Sequence, residues 1–183
     1  MNYIQFYSYI YSMIEIVDQR FMQALKADEK TILVKEGEIS RKMFFIKKGC
    51  VRIWFNNNGK EQTIQFLFEG EVVTSLESFL NNEPSPFTIE TMEECEISVL
   101  NKKGFEELMS KNHSFKDWFY ETTVQRLMNY SHRLVSYIKN KPEDRYAELL
   151  KQQPFVLRRL PQHYISAYLG ITDIAFSRFK NKK

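Results

Sequence analysis

Hydrophobic and polar positions change period twice along the 183 residues. In the first thirty residues Ile10, Met13, Ile14, Val17, Phe21 and Leu25 fall three or four apart, which predicts one or two helices. From residue 31 to residue 100 short β-rich runs take over, at 32–34, 43–46, 50–55, 63–68, 87–91 and 96–100. Turn residues separate them: Glu36-Gly37-Glu38, Lys47-Lys48-Gly49, Asn56-Asn57-Asn58-Gly59 and Glu69-Gly70-Glu71. Asn58-Gly59 is the strongest hairpin signal, because a tight primed turn requires positive φ at both central residues. Short strands at this spacing predict an antiparallel sandwich or barrel of the jelly-roll type.

Beyond residue 100 the period becomes helical again. Asn101 is placed to cap a helix whose inner face holds Phe105, Leu108 and Met109. Between His113 and Lys139 there is neither Pro nor Gly, so one long helix is predicted. Along it Tyr120, Val124, Leu127, Ser131, Leu134 and Ile138 follow in alternating steps of four and three, a 3.5-residue period held for almost three heptads. A stripe of that period suits pairing with a second copy of the same helix, so these six residues are the expected homodimer seam. Trp118, Phe119 and Met128, on the flanking face, are expected to lie against the chain's own β-rich part. After Asn140-Lys141-Pro142 a shorter helix is predicted from Glu143 to about Gln152, with Tyr146, Leu149 and Leu150 apolar and Pro154 closing it.

Composition agrees with a folded core: 43% of residues are hydrophobic, with 15 Phe and 10 Tyr, and six Gly and five Pro leave little material for linkers. Cys50 and Cys95 are too few for a disulfide framework and lack the paired spacing of a zinc or iron–sulfur site. They read as buried thiols of a reducing compartment, so a cytoplasmic protein without metal or cluster cofactor is expected. The N-terminus has no basic segment or small-residue cleavage site, and no apolar run reaches the ~20 residues that span a bilayer. Neither a signal peptide nor a membrane partner is therefore expected. The net charge of +3 is unevenly placed: residues 139–183 hold ten Lys or Arg against four acids, giving +6 and leaving −3 for the rest. The basic end is where a polyanion would bind.

That end also carries the clearest functional pattern. A helix-turn-helix needs a capped first helix, a small residue where the helices cross, a Gly at the turn and apolar residues facing inward. Pro161 opens the first helix, Ser166 lies four before Gly170, and Ile165, Leu169, Ile171, Phe176 and Phe179 supply the inward face. Thr172 caps the second helix, with Asp173 in its first turn where the helix dipole favours a carboxylate. Gln162, Thr172, Asp173, Ser177, Arg178, Lys180 and Lys182 are the expected DNA-contacting residues, because hydroxyl, Arg and Lys side chains on one face position phosphates and read base edges. Arg178 is the one suited to a bidentate contact with guanine. The same pattern would also serve a helical hairpin that packs only on its own chain. An enzyme of the cupin type would need His ligands on the β-rich part; residues 31–100 hold none, and His113, His132 and His163 lie in the helical part. No enzymatic activity is expected.

The order of parts, a β-roll, a long helix and a helix-turn-helix, resembles the cyclic-AMP receptor protein / fumarate-nitrate reductase regulator (Crp/Fnr) family of bacterial transcription factors, most of all its members from Bacteroidetes. Carrying the resemblance are Phe45-Ile46-Lys47-Lys48-Gly49-Cys50-Val51-Arg52, Thr63-Ile64-Gln65-Phe66, Phe68-Glu69-Gly70-Glu71, Leu76-Glu77-Ser78-Phe79-Leu80 and residues 164–178. It covers nearly the whole chain. It implies an α+β architecture: a cyclic-nucleotide-binding-like β-roll sensing domain at 1–112, a dimerisation helix at 113–139 and a DNA-binding domain at 140–183. The implied partners are double-stranded DNA, a second copy of the chain, RNA polymerase and a small-molecule effector.

In the nucleotide-binding members a Gly-Glu pair opens the phosphate cassette and an Arg followed by Ser or Thr closes it. Gly70 and Glu71 match the opening, and with Val72, Ser85 and Thr88 they make the expected effector pocket. The closing segment, Asn82-Glu83-Pro84-Ser85-Pro86-Phe87-Thr88, holds no Arg. A buried phosphate there would lack its charge-assisted partner, so cyclic AMP is not expected to bind in the usual way. The recognition helix departs from the receptor protein as well: Asp173 and Ile174 stand where an Arg and a Glu are usual, and only the later Arg, Arg178, is kept. The resemblance therefore implies a different target sequence.

Overall fold

The computed structural model describes residues 19–181. A short 3-10 turn, Gln19–Phe21, leads into strands β1 (Met22–Ala27), β2 (Ile32–Val34), β3 (Lys42–Lys48), β4 (Val51–Asn57), β5 (Lys60–Leu67) and β6 (Val72–Val73). Helix α1 (Leu76–Asn81) and strands β7 (Thr88–Thr91) and β8 (Cys95–Asn101) complete the roll. Two four-stranded antiparallel sheets result, ordered β1-β8-β3-β6 and β2-β7-β4-β5. Phe44, Ile46, Ile97 and Val99 of the first sheet meet Val34, Val51, Ile53 and Ile89 of the second in one core. The unbroken apolar run at 43–46 has a simple cause: Met43 and Phe45 point to the opposite face of the sheet and pack under helices, so β3 is buried on both sides. The Asn58-Gly59 hairpin forms as the sequence demands, with φ of 53° and 85° and Asn57 opposite Lys60.

The helical half comprises α2 (Lys102–Lys111), α3 (His113–Lys139), α4 (Pro142–Gln152), α5 (Val156–Arg159), α6 (Gln162–Leu169) and α7 (Asp173–Asn181). Asn101 caps α2 by accepting the Gly104 amide at 2.9 Å. Phe105, Leu108, Phe115 and Trp118 seal the outer face of the first sheet, and Trp118 stacks on Phe45 with ring centroids 5.7 Å apart. A third core joins the bottom of the roll to the C-terminal helices: Cys50, Phe66, Phe68 and Met92 pack with Tyr146, Leu149, Val156, Leu160, Ile165, Leu169 and Phe176.

Three expectations are corrected. Leu25 lies in strand β1, not in a helix, and Phe21 lies in the 3-10 turn. The local sequence Met-Gln-Ala-Leu-Lys-Ala favours a helix, but full antiparallel pairing with β8 overrides it. Ile10, Met13, Ile14 and Val17 lie outside the described residues. Met128 does not cover the roll: it is 50% exposed, whereas Trp118 is fully buried and Phe119 packs beside it. Ser177 is half-buried and already bonded within the chain, so it is not part of a free outer face.

Candidate nucleic-acid interface

The elements around residue 170 are positioned by local chemistry. Gly170 adopts φ 65° and ψ 37° and closes α6 in a left-handed turn, with the Ile171 amide donating to the Ser166 carbonyl at 3.0 Å. Thr172 Oγ1 then accepts the Ala175 amide at 3.2 Å and starts α7. Ile165, Leu169 and Phe176 are buried, and Ser166 sits buried between the helices. Gln162 bridges the pair, its amide donating to the Asp173 carbonyl at 3.2 Å and to Ser177 Oγ at 2.9 Å. Of the expected DNA-contacting residues, Thr172, Asp173, Arg178 and Lys180 are exposed on α7 or at its start. Gln162 and Ser177 are half-buried and engaged with each other, and Lys182 lies outside the described residues.

On α3 the expected seam divides from the face that holds the roll. Tyr120, Leu127, Leu134 and Ile138 are exposed, Leu127 to 64% and Ile138 to 78%, while Val124 is half-buried and Ser131 exposed. One residue behind this stripe, about 100° around the helix, runs a polar one that sequence reasoning missed. Arg126 donates to the Val72 carbonyl at 2.6 Å, Tyr130 to Gln65 Oε1 at 2.7 Å, and Arg133 to the Ile64 carbonyl. Tyr137 reaches the Tyr168 carbonyl on α6, and the Arg133 guanidinium lies 4.0 Å from the centre of the Tyr168 ring. The signal was available: positions 126, 130, 133 and 137 repeat the same steps of four, three and four as the apolar seam.

Two further ion clusters tie α5 and α6 to the roll. The Arg52 side chain, 1% exposed, donates from Nη2 to Glu90 at 2.6 Å and to Glu61 at 2.8 Å and lies under the Tyr164 ring at 4.0 Å. Arg159 makes a bidentate pair with Glu69 at 2.8 and 2.9 Å, reaches Glu93, and covers the Phe68 ring. It borders an open cleft of about 290 Å³ lined by Lys48, Gly49, Glu69, Glu93 and Glu94. Partial burial alone would raise the Glu69 carboxyl, but the Arg159 hydrogen bonds and the Gly49 amide outweigh it and hold the group below the usual glutamate range. The same bonds raise Arg159 further above its already high value.

The polar side chains of the expected effector residues are engaged by other groups of the roll. Gly70 has φ 78°, and the Glu71 carboxylate accepts the Phe68 amide at 2.8 Å, closing its own turn. Burial pushes the Glu71 carboxyl above the usual range, with the Phe68 amide and Arg126 opposing the shift. Val72 is buried under α3. Ser85 Oγ donates to the Phe87 carbonyl at 2.6 Å and lies within hydrogen-bond distance of Ser75 Oγ at 2.9 Å, and Thr88 Oγ1 accepts the Glu36 amide at 3.1 Å. Cys50 and Cys95 are buried free thiols. Desolvation pushes Cys50 far up and Cys95 up to about 11, which suppresses thiolate chemistry at both. Among the described residues no helix is long and apolar enough to cross a membrane.

Residues 24–112 match the family model "Cyclic nucleotide-binding domain". The roll is thus similar to the domains that this model describes. Among solved structures the chain is similar to FixK2 from Bradyrhizobium japonicum, at 15% identity and a TM-score of 0.76 over 88% of this chain and 83% of that one. It is similar to the c-di-GMP-responsive global regulator CLP of Xanthomonas campestris, at 16% identity and a TM-score of 0.73 over 94% and 90%. A regulator assigned to the Crp/Fnr family from Eubacterium rectale aligns at 15% identity and a TM-score of 0.69, over 92% and 80%. No curated protein matches the chain. Roll, long helix and C-terminal helices together thus share the fold of these three solved structures.

Proposed function

We propose that the chain is a homodimeric, sequence-specific DNA-binding transcription regulator of the Crp/Fnr family, with a sensing roll, a dimer helix at 113–139 and a DNA-binding unit at 140–183. The observation that carries this reading is the Gly170-turned helix pair, whose second helix turns Arg178 and Lys180 outward from the most basic part of the chain. The exposed apolar stripe on α3 supports pairing of two copies, which would set two α7 helices one DNA turn, about 34 Å, apart on a pseudo-palindrome. RNA polymerase is the partner that a regulator so placed would address.

A duplex-binding titration tests the reading. If α7 and its surroundings neutralise six or more phosphates, affinity should fall by about a thousandfold or more between 50 and 200 mM salt. A protein partner alone would leave duplex binding absent at any salt. Within that interface Arg178→Ala should cost about 1–3 kcal/mol and relax preference at one base pair. An unchanged binding profile removes Arg178 from base reading.

The roll is not gated by cyclic AMP in the usual way. Ser85 is turned to Ser75, Glu71 holds the Phe68 amide, and the 82–88 segment offers no guanidinium to a phosphate. Cyclic AMP or cyclic GMP at 1 mM should leave the thermal midpoint in place. A ligand present at a thousand times its Kd would stabilise by about 4 kcal/mol and raise the midpoint by several degrees, and such a rise would refute the proposal.

A further inference from the structure

We infer that Ile174 reads a thymine by its C5 methyl group, within about two base pairs of the guanine contacted by Arg178; the inference rests on the DNA-binding reading above. Ile174 is 79% exposed, the most solvent-accessible large hydrophobic side chain among the described residues. It lies outside the seam on α3 and outside every core cluster. Helix α7 buries Phe176 and half-buries Ala175 and Phe179. Its opposite face is the row Ile174, Arg178, Asn181, at i, i+4 and i+7, all three exposed. A β-branched apolar residue in the first turn of a short exposed helix gains nothing for the folded chain alone. Water is the poorest neighbour for it, and a helix prefers other residues there.

The row has a chemical match in the major groove. Thymine presents a methyl group, guanine presents the O6 and N7 acceptors that a guanidinium grips in pairs, and adenine presents N7 with N6–H₂, the counterpart of an Asn amide. Four residues of helix advance about 6 Å, close to two base-pair steps of 3.4 Å. The partner is DNA because the surroundings are cationic: residues 139–183 carry +6, and Lys180 is exposed on the same helix. Asp173 stands in the first turn, where the helix dipole favours a carboxylate, and Ile174 follows it on the exposed face.

The test is selection of duplexes from a pool randomised over 30 base pairs, using full-length protein, Ile174→Ala and Arg178→Ala. The strongest duplex selected by the wild type is then remade with uracil at each thymine in turn. At one thymine per half-site, beside a fixed guanine, uracil should weaken wild-type binding about fourfold, the worth of one buried methyl group. Ile174→Ala should bind the thymine and uracil duplexes equally, while Arg178→Ala should lose the guanine preference and keep the methyl discrimination. Ile174 is exposed, so the Ala variant should melt with the wild type. Equal wild-type affinity for both duplexes, or discrimination retained in Ile174→Ala, overturns the inference and leaves the DNA-binding reading standing. A pool from which the wild type enriches nothing overturns both.

Discussion

On the proposed homodimer, Leu127→Glu should turn a particle of about 44 kDa into a monomer of 22.0 kDa without unfolding it. In the single chain Leu127 is already 64% exposed, and Tyr120, Leu134 and Ile138 are exposed along the same stripe. The substitution therefore costs the monomer little. In a two-fold pair each seam residue counts twice and lies near its own copy, so the change removes two leucines and sets two carboxylates close together. At about 2 kcal/mol for each lost leucine the dissociation constant should rise about a thousandfold, before any charge repulsion is added. Sedimentation velocity at micromolar protein reads the outcome. A variant that still sediments as a dimer moves the seam elsewhere, and with it the spacing of the two α7 helices.

Arg159→Ala should destabilise the protein by about 1–3 kcal/mol, the range for hydrogen bonds to charged groups at a partly exposed site. It removes a bidentate partner from Glu69, a contact to Glu93 and the cover over Phe68. Two carboxylates would then face each other where α5 meets the roll. For a chain of this size each kcal/mol moves the midpoint by about 2–4 °C. The effect has a pH signature with a definite sign. Glu69 has a folded pKa below its unfolded value, so its share of the stability is complete above the ordinary glutamate range and is lost as the pH falls through the folded value. The gap between wild type and variant should therefore narrow in acid. A gap that stays constant from pH 7 down to pH 3 would show that Arg159 acts through packing on Phe68 and not through its carboxylates.

How much could be read in advance depended on how local the deciding interaction was. The Asn58-Gly59 hairpin and the Gly170 turn were legible because their backbone angles suit few other residues. The interior strands were legible from alternation and turn residues. Strand β1 was not, since only β8, some seventy residues away, makes it a strand. Strand β6, two residues long, is likewise defined by its partner β3. On α3 the apolar stripe was legible from its period, whereas Arg126, Tyr130 and Arg133 looked like a solvated face until the carbonyls of Ile64 and Val72 were in view. Ser177 was misplaced for a similar reason: its partner, Gln162, lies on the other helix. Glu69-Gly70-Glu71 was legible as a turn, but the Phe68 amide that engages Glu71 is a feature of the folded turn.

Phe66, Phe68 and Met92 of the roll share one core with Tyr146, Leu149, Val156 and Phe176, and Phe68 meets Phe155 edge-on at 4.9 Å. The front and back of this chain are consequently not exchangeable cassettes. A chimaera that grafted these C-terminal helices onto another roll would have to carry the matching floor residues with them, and a roll expressed alone would present Phe66 and Phe68 to solvent as a sticky patch. Change on either side of that shared core is tied to change on the other, whereas the outward row of α7 can vary without disturbing it.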